Sequence, residues 1–174
     1  MDRSLLREYQ QWLSSHLYSA SYIRKACFLL KQVTALAASE GFIPNDPLSS
    51  VRLETPKSEH TYLSSGELEA IELTPFTEWR LEKVRLWFLV QCYSGVAYSD
   101  LEQFAEKARP KQPGDSVELY RHKTGTRCVV PLLQPVVGAL RTLGTERLPS
   151  NQKYNQYLKE ITQTCGVHTR VTSH

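Results

Sequence analysis

The sequence predicts a mostly α-helical fold with one small β-sheet, divided into two units. Three observations lead to this. Apolar residues recur at helical spacing along most of the chain. Two strand-like runs, residues 116–122 and 127–132, flank Thr124-Gly125 and read as one hairpin. Residues 49–61 are polar, hold Pro56 and lose all periodicity, so they read as a linker. The expected units are residues 1–57 and 58–174, and the first is small for an independent core.

The elements follow in order. Leu5, Leu6, Tyr9 and Leu13 give residues 3–16 one apolar stripe. Residues 19–40 form a longer helix with Ser19 or Ser21 as cap, and Gly41 stands where a helix end favours a left-handed residue. Its apolar set is Ile23, Ala26, Phe28, Leu29, Leu30, Val33, Leu36 and Ala37; Pro44 and Pro47 forbid continuation. Ser64 and Glu67 spell a capping box that opens a short helix through Leu73. Residues 78–93 read as a strong helix that buries Leu81, Val84, Trp87, Phe88 and Val90 to Cys92. Ser94-Gly95 breaks it, and a short helix restarts between Ala97 and Phe104. After the hairpin, residues 133–143 and 151–165 close the chain as helices.

Composition excludes several classes. The 174 residues are 41% hydrophobic and 22% charged, which is neither disordered, collagen-like nor an extended coiled coil. No apolar run approaches the ~20 residues of a membrane span. The first residues, MDRSLLREYQ, lack a basic-then-apolar signal pattern, so a cytoplasmic location is expected. With 21 Lys+Arg against 18 Asp+Glu, the net charge of +3 permits a nucleic-acid partner without demanding one. Cys27, Cys92, Cys128 and Cys165 are far apart with no CxxC, and read as reduced, buried thiols. No histidine pair has zinc spacing, so neither a metal nor another cofactor is expected.

Several segments together resemble the tyrosine recombinases, the phage integrase family. Gly41-Phe42-Ile43-Pro44-Asn45-Asp46-Pro47 is similar to the end of the family's SAM-like core-binding domain, with one extra residue between Asn and Pro. Residues 62–68 (YLSSGEL) resemble the start of its catalytic domain. Residues 86–104 resemble the buried helix and turn that present a first catalytic arginine. His122-Lys123-Thr124-Gly125-Thr126-Arg127 resembles the catalytic-lysine hairpin, and Thr172-Ser173-His174 the approach to an H-x-x-R box. The resemblance implies a partial SAM-like domain followed by an incomplete α+β catalytic domain, truncated at both ends.

It also implies chemistry. The family attacks a DNA phosphodiester with a tyrosine, forms a 3′-phosphotyrosyl link and releases a 5′-hydroxyl, without metal. The charged transition state needs preorganised cations. Lys123 would protonate the leaving oxygen. His174 matches the phosphate-binding histidine, and Asp100 a supporting acid that holds a neighbouring cation or caps a helix. Ala97 stands where the first arginine is normally found; Arg80, Arg85 or Arg127 are substitutes that sequence does not choose between. Tyr154 and Tyr157 precede His174, the wrong order for the nucleophile, and read as packing residues. The chain alone is therefore expected to be inactive.

Arg24, Lys25 and Lys31 on the long helix, and Arg109, Lys111, Arg121 and Arg127 around the hairpin, are the candidate contacts to double-stranded DNA. The linker would cross the duplex edge, and the full-length protein would self-associate on DNA. Two other readings stand beside this one: a non-catalytic DNA-binding remnant, and a mixed α/β interaction domain with no nucleic-acid role. Truncation is also expected to leave the apolar faces of residues 86–93 and 133–143 partly exposed.

Overall fold

The computed structural model describes residues 3–56 and 62–173, and it is mostly helical with a two-stranded antiparallel sheet. Contacts divide the chain into Met1–His60 and Thr61–His174. The boundary expected between residues 57 and 58 lies outside the described residues.

The first unit is a helical hairpin, α1 (Arg3–Ser15) and α2 (Ala20–Ser39). Leu17, with a φ of 59°, makes the left-handed turn between them. Ser19 caps α2 by accepting from the Tyr22 N–H. The small core consists of Leu6, Cys27 and Leu48, with Ile23, Leu30, Val51 and Leu53 packed around it. Two sequence expectations change here. Residues 48–53 are not free linker: they lie on the helical hairpin, and Lys31 donates to the Val51 carbonyl. The apolar set of α2 is also split between two sides. Cys27 and Thr34 face inward, while Phe28, Leu29, Val33 and Leu36 stay exposed.

The second unit is built around α4 (Trp79–Ser94), which packs against α6 (Gln134–Leu143) and α7 (Asn151–Thr164). α3 (Ser65–Leu73) precedes it, opened by the expected capping box: Glu67 N–H donates to Ser64 Oγ at 3.2 Å, and Ser64 N–H to Glu67 Oε2 at 2.9 Å. Arg85 closes the other end of α3. Its guanidinium is buried, pairs with Glu82 and donates to the Glu72 carbonyl at 2.7 Å. α4 ends at Gly95, which takes a φ of +66° that other residues rarely adopt. A 3₁₀ turn, Tyr98–Asp100, leads into α5 (Leu101–Ala108). The hairpin strands are β1 (Ser116–Tyr120) and β2 (Arg127–Pro131), in a register that sets Leu119 opposite Cys128.

Trp87, Tyr154, Phe104, Leu101, Leu119, Leu158 and Ile161 are among the fully buried side chains of this core. The expectation of partly exposed apolar faces on 86–93 and 133–143 is met only at Cys92 and Leu133. Leu86 to Val90 and Val136, Val137, Ala139, Leu140 and Leu143 are all buried, because α6 and α7 cover α4 from two sides. Cys92 is exposed, contrary to expectation, in the last turn of α4, where it lines a pocket with Leu63, Phe88 and Val171; Cys128 and Cys165 are half-buried. All four thiols are free. No helix among the described residues is long and apolar enough to cross a membrane. No cluster of His, Cys, Asp and Glu among them could hold a metal ion.

Candidate nucleic-acid interface

The sharpest candidate site is the joint between α4 and α5, together with the hairpin docked on it. The turn forms because Gly95 reverses the chain and Ala97 takes an extended conformation, so that its carbonyl accepts from the Asp100 N–H at 2.9 Å. Asp100 is thereby drawn inward, to 3% exposure. Its Oδ1 accepts from the His122 N–H at 3.1 Å and from the Ser99 hydroxyl at 3.2 Å. A buried carboxylate needs such donors, and the backbone of the hairpin supplies one. Asp100 therefore grips the hairpin one residue before Lys123.

Residues 121–126 form the loop. Arg121 N–H donates to the Thr126 carbonyl at 2.9 Å, and Gly125 N–H, with φ +66°, donates to the Arg121 carbonyl at 2.8 Å. The expected tight turn is thus a six-residue loop closed at its neck. It displays His122, Lys123 and Thr124 to solvent, and Arg121 beside them. Arg127 is exposed too, yet it is paired: Glu118 accepts from it at 2.7 Å, diagonally across the ladder. That bond lowers the Glu118 pKa and raises that of Arg127.

His174 lies outside the described residues, but its neighbour is firmly held. Ser173 is 1% exposed. Its carbonyl accepts from Gln91 of α4 at 2.9 Å, its N–H donates to Asn155 Oδ1 at 2.8 Å, and its hydroxyl donates to Asn151 Oδ1 at 2.9 Å. Tyr154 donates to the same Gln91 at 2.9 Å. Thr169 fastens the approach, its hydroxyl donating to Glu67 at 2.7 Å. With the Ser64 backbone N–H contributing most, these bonds lower the Glu67 pKa to about 2. The last turn of α4 thus holds residue 173, and the turn just beyond it holds residue 122.

Not every candidate cation is available. Arg80 is bound to Glu78 and Glu160 and lies 5.0 Å over the Tyr157 ring; Arg85 is buried with Glu82; Arg127 is paired with Glu118. All three substitutes considered for the position of Ala97 are engaged in ion pairs. Ala97 itself is exposed at the start of the turn. Arg109 is half-buried and donates to the Glu146 carbonyl at 3.3 Å. Tyr154 is wholly buried, edge-on to Tyr98, and burial raises its pKa well above the ordinary value, as befits a packing residue.

In the first unit, Lys25 is exposed at the start of α2. Arg24 is half-buried and lines a groove of about 630 Å³ with Gln10, Arg52 and Glu54. Lys31 is half-buried, and its ammonium donates to the Val51 carbonyl, holding the 48–53 segment in place.

No known family model, curated protein or solved structure matches the chain.

Asp100 is legible in the sequence as a supporting acid, but its partners are the His122 N–H and the Ser99 hydroxyl rather than a cation or a helix cap; the ties at Gln91 and Glu67 carry no site signal in the sequence.

Proposed function

We propose that the chain binds double-stranded DNA as part of a tyrosine-type site-specific recombinase or integrase. The observation that carries this reading is the Asp100–His122 bond, which fixes a solvent-exposed loop bearing Arg121 and Lys123. A long cation on a preorganised loop suits a phosphate, because the loop's ordering is completed before DNA arrives. In this reading Lys123 donates its proton to the leaving 5′-oxygen as the phosphorus–oxygen bond breaks. Asp100 is a positioning residue for that lysine. Arg121 and Lys25 contact phosphates, and His174 binds the phosphate as the family resemblance implies.

A second reading, DNA binding without strand cleavage, is favoured by one specific observation. Ala97 offers no donor, and Arg80, Arg85 and Arg127 are held by carboxylates. Duplex retardation at low salt tests both readings. Binding at tens of micromolar, weakened when Arg121 and Lys123 are neutralised, supports the interface. Absence of any shift would leave only the interaction-domain reading.

A further inference from the structure

We infer that the cavity between α4, α5 and the 145–148 segment binds a small zwitterion, a free α-amino acid. The cavity holds about 440 Å³, within the roughly 300–1,000 Å³ of small-ligand pockets. Trp87, at 1% exposure, forms part of its wall, and so does Arg109. The indole Nε1–H of Trp87 and the Nε–H of Arg109 are both buried, and neither has a hydrogen-bond partner among the described residues. A buried tryptophan ordinarily finds an acceptor, and a buried donor left without one costs free energy. Two such donors on one cavity call for acceptor atoms from a ligand.

The walls are fixed before any ligand arrives. Glu102 Oε1 accepts from the Leu148 N–H at 3.1 Å, Arg109 donates to the Glu146 carbonyl at 3.3 Å, and Lys83 pairs with the Glu146 carboxylate at 2.6 Å. The Tyr98 hydroxyl holds the next residue by donating to the Pro149 carbonyl. A cavity framed in this way loses little freedom when it is filled. Charge then selects the ligand. Glu102, Glu106 and Arg109 fall at i, i+4 and i+7, on one face of α5 and its C-cap. Like charges four apart on a helix repel, so Glu102 and Glu106 favour a cation beside them. Lys83 neutralises Glu146, which leaves Arg109 and Arg147 against Glu102 and Glu106, both signs present without net charge. A bare anion would meet the two carboxylates. A bare cation would leave both buried donors unanswered. An α-amino acid meets both demands: its carboxylate accepts from Trp87 and Arg109, and its ammonium donates to Glu106.

The test uses the full 174-residue chain without DNA, so its outcome is independent of the DNA reading. Each proteinogenic L-amino acid is titrated by calorimetry up to about 10 mM, with acetate, ethylamine and inorganic phosphate as separate probes. At least one amino acid should bind with a Kd of about 1 mM or tighter and raise the Tm, while the three simple ions do neither. Trp87→Phe keeps an aromatic ring in the wall and removes the N–H, so it should weaken that binding about tenfold. Glu106→Gln, at an exposed residue, should weaken it by about the same factor while the helical circular dichroism is unchanged. Glu69→Gln, an exposed residue of α3 outside the cavity, should leave binding intact. Failure of every amino acid to bind would overturn the inference, the two donors then meeting only water. So would acetate or phosphate binding as tightly as the amino acid, or binding indifferent to both Trp87→Phe and Glu106→Gln.

Discussion

Replacing Asp100 with alanine should loosen the hairpin from the α4–α5 joint. The carboxylate is 3% exposed and accepts from the His122 N–H at 3.1 Å and the Ser99 hydroxyl at 3.2 Å. A hydrogen bond to a charged acceptor contributes about 1.5–3 kcal/mol net. Two effects pull the figure down. Removing a buried carboxylate also removes its desolvation penalty. His122 is exposed, so its freed N–H can find water. The expected loss is therefore about 2 kcal/mol, or about 8 °C in Tm for a unit of this size. Asp100→Asn keeps an oxygen in place and forfeits only the charge assistance, so it should cost about 0.5–1 kcal/mol. Urea titration gives the energies, and hydrogen exchange at the His122 amide gives the mechanism. Protection at that amide should fall in Asp100→Ala while amides of α7 follow only the global change. If the His122 amide already exchanges freely in the unaltered chain, or if the alanine and asparagine variants are equally stable, the tether does not exist as described.

Other expectations follow from the same structure. The Glu67 carboxyl is lowered from 4.5 to about 2 by bonds from Ser64 and Thr169, so it stabilises the fold above the ordinary carboxylate range. That contribution should fade as pH falls from about 4.5 through about 2, and acid titration of Glu67→Gln should lack this limb. Leu158 is wholly buried in α7, so Leu158→Ala should cost about 2–5 kcal/mol by chemical denaturation. A suicide DNA substrate should capture no adduct at Tyr154, whose hydroxyl is bound to Gln91; mass spectrometry finding one there would refute its assignment as a packing residue.

What sequence disclosed was mostly local. The Ser64–Glu67 box, the Gly95 stop and the Thr124-Gly125 loop are each decided within a few residues, and periodicity locates the longer helices; the short helix expected between Ala97 and Phe104 runs instead from Leu101 to Ala108. The failures were matters of which side faces what. α2 carries apolar residues on two sides, and only packing shows that Cys27 and Thr34 go inward while Leu29 and Val33 do not. Residues 48–53 have no periodicity because they begin in a turn, closed by Val51 N–H on the Leu48 carbonyl, and bury only Leu48 fully, with Val51 and Leu53 packed beside it. The site was less legible still. Lys123 was visible as a cation in a turn, but the bond that holds its loop joins residues 22 positions apart, and the one from Gln91 to Ser173 spans 82. Neither leaves a pattern in the intervening chain. Lys31 looked like a surface cation because nothing in its neighbourhood announces the Val51 carbonyl.

The most direct test of the DNA interface is the salt dependence of duplex binding, measured by fluorescence anisotropy on the full chain and on the Arg121→Ala, Lys123→Ala double variant. Each lost phosphate contact removes about 0.9 from the slope of log affinity against log salt, so the variant's slope should be shallower by about 2. Its thermal stability should be unchanged, because both side chains are exposed. Equal slopes for the two proteins, or no measurable binding at low salt, would contradict the assignment of the hairpin to DNA.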